Sequence, residues 1–297
     1  MPGDNTSESA SREIAKILFD WEVSPPERQN ALLKLLATKI PWHVPVIDAF
    51  EEVRDPYLRS LARSLTKIVT RFRVRHSFLK IALKGNTNHY RDLEEAVIQL
   101  SSLAFPEQDV SKMRSELDRI SIRISELFTE NEAQLTDELK VTLMRQVMFE
   151  EEGFVGNLQQ YNEPGNSYLF QVLRTRMGIP ISLAVIYILV GHRLELPIYG
   201  TNIPLHFLLQ YDSGQFFSFI DPFHGGVLLD RLTCEKFLEE NGYSPEPKYF
   251  SKASTLSILK RMCRNLLNIY RENKSKEMEE LVQDHLKVLE SRSTPAE

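Results

Sequence analysis

The sequence predicts an α+β fold: a helical N-terminal region, a core in which a small antiparallel sheet packs on a buried helix, and a C-terminal helical pair. Three observations carry this expectation. From Ser11 to about Phe149 apolar residues recur at three- and four-residue spacing, the pattern of helices with one buried face. The segment PISLAVIYILVGHRL, Pro180–Leu194, is apolar on nearly every side, as a helix enclosed by other elements must be. Then LPIYGTNI, PLHFLLQY and QFFSFIDPF follow one another as short runs rich in β-branched and aromatic residues, which read as strands.

Taken in order, residues 1–12 (MPGDNTSESASR) are polar, lack the apolar segment of a secretory signal, and are expected as a disordered tail. Residues 13–90 are expected as an N-terminal helical region. Its helices lie in REIAKILFDW, QNALLKLLATKI, VPVIDAFEEV and the long segment 56–84, divided by turn signals at Ser24–Pro26, Pro41, Pro45, Asp55–Pro56 and GNTN at 85–88. No acid occurs between Pro56 and Arg91, and Arg59, Arg63, Lys67, Arg71 and Arg75 fall four apart, on one helical face. The plainer reading of this basic stripe is a solvated face opposite Leu58, Leu61, Leu65, Ile68 and Phe72; the other is docking of an acidic partner.

Residues 91–245 are expected as the core. Helices at 92–105 and 110–128 lead into it, and after Glu150 the stretches GFVGN and NEPGNSY read as loops, where function commonly sits. SYLFQVLRTRMG predicts a helix closed by Gly178, and Pro180 suits the first position of the next helix, where its missing N–H costs nothing. Ser213–Gly214 predicts a tight turn between the second and third strands. Alternation puts His206, Leu208 and Gln210 on one strand face, and Phe217, Phe219 and Asp221 on one face of the next. Antiparallel pairing therefore brings His206 towards Asp221. Residues 246–297 are helical again, around LKRMCRNLLNIY and EMEELVQDHLKVL.

Composition excludes some functions. A net charge of −5 offers no global attraction to nucleic acid or anionic membrane. The most apolar run, Ile179–Val190, falls short of the roughly 20 residues that span a bilayer. Cys234 and Cys263 stand in no disulfide or zinc spacing and read as buried thiols in a reducing compartment. The expectation is a cytoplasmic protein without a cofactor; oligomeric state is left open.

An unpaired imidazole or carboxylate is costly to bury, so His206 and Asp221 call for each other. A buried helix followed by a His strand and an Asp strand is the arrangement of papain-like thiol enzymes. There a thiol at the helix N-terminus is the nucleophile, the His its base, and the carboxylate orients the ring. Here no cysteine lies near Gly178, and Ile179 and Pro180 fill the slot. Ser182 is the nearest hydroxyl, more simply read as bonded to backbone in the first helical turn. Asn157, Asn162, Asn166, Arg174 and Arg176 precede the helix and are candidate binding residues in the same cleft, although the Asn residues equally fit Asx turns. Asp221 and His224, with His206, are loosely compatible with a metal set, but the spacing is common by chance and no metal is assigned. His192, near the helix C-terminus, reads as a dipole partner.

These stretches are familiar together. FEEEGFVGN, YNEPGNSYLFQVLRTRMGIPISLAVIYILVGHRLELPIYG, NIPLHFLLQY and FIDPFHGGVLL, with LAFPEQDVSKMRSELDRI upstream, resemble the SirB1 family of bacterial proteins, a branch of the transglutaminase-like superfamily. The resemblance spans roughly Asp92 to Gly242. It implies a papain-like core followed by tetratricopeptide-like helices, in a family without the superfamily's usual nucleophile. The matching positions are Asn157, Asn166, Gly178, Pro180, His206, Asp221, Pro222, Phe223 and Gly225. The sequence departs where Pro204-Leu205-His206 stands for Pro-Gly-His, His224 for an Asn, and Gly165 for a basic residue. The expected function is a protein- or peptide-binding module impaired as a thiol enzyme, with His224 among its binding residues. One alternative is a hydrolase or acyltransferase using His206 and Asp221 with water or Ser182; a second is a helical adaptor docking through the basic stripe.

Overall fold

Nothing from Pro56 to Lys84 interrupts helical spacing, and in the computed structural model these 29 residues are one helix. The structure describes residues 4–40, 46–51, 53–106 and 108–291. The turn signals at Pro41 and Pro45 lie outside the described residues. The chain divides into two units, residues 1–80 with 95–112 and residues 81–94 with 113–297.

The first unit is helical. α1 (Asp4–Glu22) begins within the segment expected as a tail, and α2 (Pro26–Lys39), α3 (Val46–Glu51) and most of α4 (Pro56–Lys84) follow. Leu18, Leu36, Phe50, Val53, Ala62 and Val69 close its core. Along α4, Arg63, Lys67, Arg71 and Arg75 are exposed while Ala62, Leu65 and Val69 are buried, as one apolar stripe on a helix requires. Arg59 turns its guanidinium onto the Val53 carbonyl at 2.9 and 2.7 Å.

α5 (Tyr90–Ala104) and α6 (Val110–Glu130) contribute residues to both units. In the second unit α7 (Asp137–Arg145) starts at Thr136, whose hydroxyl accepts the Leu139 N–H. Two very short strands, β1 (Val155–Gly156) and β2 (Met177–Gly178), pair in parallel. Between them, α8 (Leu169–Thr175) closes earlier than expected. Arg176 takes the left-handed conformation at φ 62° that a capping glycine usually supplies, and its side chain is held by Glu116 and Glu152. Gly178 serves packing instead: a Cβ there would lie 2.7 Å from the Ser182 hydroxyl.

α9 (Pro180–Arg193) is buried from Pro180 through Gly191, as its all-round apolarity predicts. Beside it is an antiparallel sheet of β3 (Ile198–Thr201), β4 (Leu208–Asp212), β5 (Phe217–Asp221) and β6 (Val227–Leu229), in that order. β4 begins at Leu208, so His206 lies in the turn that precedes the strand and not within it; its N–H donates to the Ile203 carbonyl at 3.2 Å. The β4–β5 hairpin is shifted by one residue from expectation. Ser213 N–H donates to Phe216 O at 3.2 Å, which makes Gly214 and Gln215 the central pair, with Gly214 at φ 80°.

α10 (Arg231–Glu240) is capped by Asp230, α11 (Thr255–Glu272) by Ser254, and α12 (Lys276–Glu290) completes the C-terminal pair. The pair is built into this unit: α11 packs on α9, and the Tyr270 and Tyr168 hydroxyls share a hydrogen bond of 2.7 Å. Among the described residues no helix is long and apolar enough to cross a membrane.

Candidate functional site

His206 is delivered by the turn Ile203–His206. Pro204 presets its own φ, and Leu205 follows at φ 65°. A four-residue turn with Pro second and a positive φ third normally takes glycine in the third place. Arg261, from α11, donates to the carbonyls at both ends of this turn, Ile203 at 3.1 Å and His206 at 2.8 Å, and lies over the Phe207 ring. One planar guanidinium thus pins the turn where a flexible ammonium could not.

Asp221 ends β5, and its two oxygens have different tasks. Oδ1 accepts the N–H groups of Phe223 at 3.0 Å and His224 at 3.3 Å, which fixes the carboxylate plane. Oδ2 meets His206 Nε2 at 2.9 Å and His224 Nδ1 at 2.8 Å. Burial alone would raise the Asp221 pKa, but the hydrogen bonds and charges of His206, then His224, outweigh it and hold it at about 2. The donor atoms of His206, Asp221 and His224 all lie within 4.8 Å of one another, a set that could hold a metal ion.

Aromatic rings frame the pair. The Phe223 ring presses on Gly156, where a Cβ would fall 2.5 Å from it, so this loop and β1 approach as closely as backbone permits. Phe223 and Phe237 stand with ring centroids 6.4 and 6.3 Å from that of His206, and Tyr161 meets Phe223 edge-on.

The residues ahead of α9 are committed to the loop itself. Asn157 donates to Asn166 Oδ1 at 3.1 Å and accepts the Gln160 N–H, and Asn166 donates to the Gln160 carbonyl at 2.6 Å; both side chains are buried. Ser182 donates to the Asn166 carbonyl at 2.6 Å and accepts the Ile179 N–H at 3.0 Å. Its hydroxyl closes the first turn of α9, the local bonding expected of Ser at a helix start. Asn162 ties the loop to Glu272 at 2.6 Å, and Arg174 reaches back to Gln171 at 3.0 Å. Arg176 is occupied by Glu116 and Glu152. His192 stacks on Tyr90 at 4.6 Å, and burial lowers its pKa.

The two thiols lie in α10 and α11 and not at the start of α9. Cys234 packs with Ile203, Leu208, Phe219 and Leu238, and burial pushes it up to about 11. Burial pushes Cys263, in α11, up to about 12. Both stay protonated at neutral pH, and the thiol form is a poor nucleophile. The structure therefore gathers His206, Asp221 and His224, sets Asn157 and Asn166 together as a buried loop pair, and engages Arg174 and Arg176 with other partners. Arg261 and Phe237 carry no local sequence signal; only tertiary packing brings them to His206.

A histidine in the turn before β4, hydrogen-bonded to a carboxylate at the end of β5, stands at a small antiparallel sheet beside a buried helix that starts with proline, an arrangement consistent with a transglutaminase-like α+β fold. Residues 111–264 match the transglutaminase-like superfamily, and the chain belongs to it. Among curated proteins, a UPF0162 protein of Xylella fastidiosa is 34% identical over 167 residues, covering 54% of each chain. A UPF0162 protein of Vibrio cholerae is 29% identical over 138 residues, 46% of this chain and 50% of that one. Human F-box only protein 21 is 29% identical over 151 residues, 48% of this chain and 24% of that one. The chain spans about half the length of the UPF0162 relatives or less of the F-box protein. No solved structure matches it.

Proposed function

We propose that this is a transglutaminase-like domain of the SirB1 type that has lost thiol chemistry and uses the site around His206 to engage a protein or peptide segment in the cytoplasm. The observation that carries this reading is the intact His206–Asp221 pair at 2.9 Å beside a helix that starts with Pro180 where a nucleophile would stand. Exposed Leu205 and the partly exposed Tyr161 and Phe237 give an apolar rim suited to a chain in extended form. Recurrence of the matched stretch within a quarter of a much longer human protein supports a module that serves in larger assemblies.

A second reading keeps catalysis. His206 would act as general base towards water, with Asp221 orienting its ring, which gives an amide hydrolase or acyltransferase. The same 2.9 Å hydrogen bond favours it, whereas the bonding of Ser182 to backbone argues against a serine nucleophile. The test is a panel of chromogenic amides and esters with the wild type and His206→Ala, alongside capture of an immobilised peptide library. The binding reading expects no turnover by either protein and weaker peptide capture by the variant. Hydrolysis by the wild type, abolished in His206→Ala at an unchanged melting temperature, would overturn it.

A further inference from the structure

We propose that His206, Asp221 and His224 bind a divalent transition-metal ion of the zinc type, through His206 Nε2, Asp221 Oδ2 and His224 Nδ1. Two imidazole nitrogens converge on a single carboxylate oxygen at 2.9 and 2.8 Å, from a turn before β4 and a loop after β5. Zinc takes nitrogen at about 2.0–2.1 Å and carboxylate oxygen at about 2.0–2.2 Å, so neighbouring donors on its tetrahedron sit roughly 3.3 Å apart. The two N–O separations thus need to widen by about half an ångström, while the two nitrogens, which lie within 4.8 Å of each other, need to settle at about the same 3.3 Å.

Two further features distinguish this cluster from a chance meeting of polar groups. The carboxylate is fixed from behind, since Oδ1 is taken by the Phe223 and His224 N–H groups, the kind of outer support that orients a metal ligand. His224 is 61% exposed, yet its ring is turned back onto a carboxylate that is 9% exposed. The loop makes that turn with Gly225 and Gly226 both at φ 70°.

Binding requires each ring proton to move to the opposite nitrogen, Nδ1 of His206 and Nε2 of His224, freeing the inward lone pairs. Three protein donors leave the fourth tetrahedral position open to water or a ligand on the exposed His224 side. The metal-bound set and the hydrogen-bonded pair are alternative states of the same three atoms. Metal loading therefore withdraws His206 from the role of base.

The experiment is calorimetric titration of the metal-stripped full chain with ZnCl2, repeated with CoCl2 while visible absorption is followed. The expected result is one equivalent bound, with ligand-field bands of a low-coordinate cobalt centre. His224→Asn should weaken binding by more than about tenfold, since losing a ligand costs at least what losing an outer partner does. His76→Ala, an exposed histidine on α4, should leave it unchanged. Because the His224 ring lies mostly in solvent, its variant is expected to fold even if His206→Ala does not. Absence of stoichiometric binding by the wild type, or binding indifferent to His224→Asn, would overturn the proposal. Neither result bears on peptide capture, which is read separately.

Discussion

Leu205 holds a φ of 65°, and a residue other than glycine in that conformation costs about 1 kcal/mol. Its side chain is largely exposed, so no packing is lost when it is removed. Leu205→Gly is therefore expected to raise stability by about 0.5 kcal/mol, the relief of strain less the extra freedom glycine has when unfolded; an unchanged or lower urea midpoint would show that the turn carries no strain. At Asp221 the sign of the pH effect follows from its depressed pKa of about 2. The carboxylate stabilises the fold above its ordinary value near 3.9, and that contribution, on the order of 2 kcal/mol, is lost as pH falls from about 4 to about 2. Between these limits the wild type should lose stability more steeply than Asp221→Asn, which has no such proton to take up. Parallel stability curves of the two proteins would refute the coupling.

Elements were legible in proportion to their length. Over α4 and α9 many residues vote for one period, and both stand close to where that period puts them. β1 and β2 have two residues each and β6 has three, too few for any alternation to show. The closing of α8 at Arg176 was hidden for a different reason: salt bridges to Glu116 and Glu152 stabilise a left-handed arginine that local propensity disfavours. Of the site, the His206–Asp221 contact stands at 2.9 Å, but His206 makes it from the turn before β4, so strand alternation does not by itself account for it. Arg261 could not be read, since its partners are carbonyls more than fifty residues away. Its role at this scale is to hold the turn. Arg261→Lys is expected to lose one of the two hydrogen bonds, about 1.5 kcal/mol locally, which is close to tenfold faster amide exchange at His206. Exchange unchanged at His206 would mean that α11 does not restrain the site.

For the molecule as a whole, the decisive matter is where the core ends. The resemblance read in the sequence ends near Gly242, with residues 246–297 taken as a helical tail, whereas the superfamily match runs to residue 264, inside α11. The physical content of that difference lies in what α11 buries. Leu259, Met262, Cys263, Leu266 and Leu267 are all within 3% of full burial, and the helix packs on α9, the most enclosed element of its unit. Burying one such side chain is worth about 1.5–3 kcal/mol, so losing these five is comparable to the whole 5–15 kcal/mol by which a domain is normally stable. A chain ending at residue 245 also lacks Arg261 and the Tyr168–Tyr270 hydrogen bond. That truncation should therefore keep helical far-ultraviolet dichroism but lose near-ultraviolet signal and a cooperative urea transition, as chains do when packing goes and collapse remains. A sharp, native-like transition in the truncated chain would make the C-terminal pair an appendage after all, and would release the His206 turn from any dependence on it.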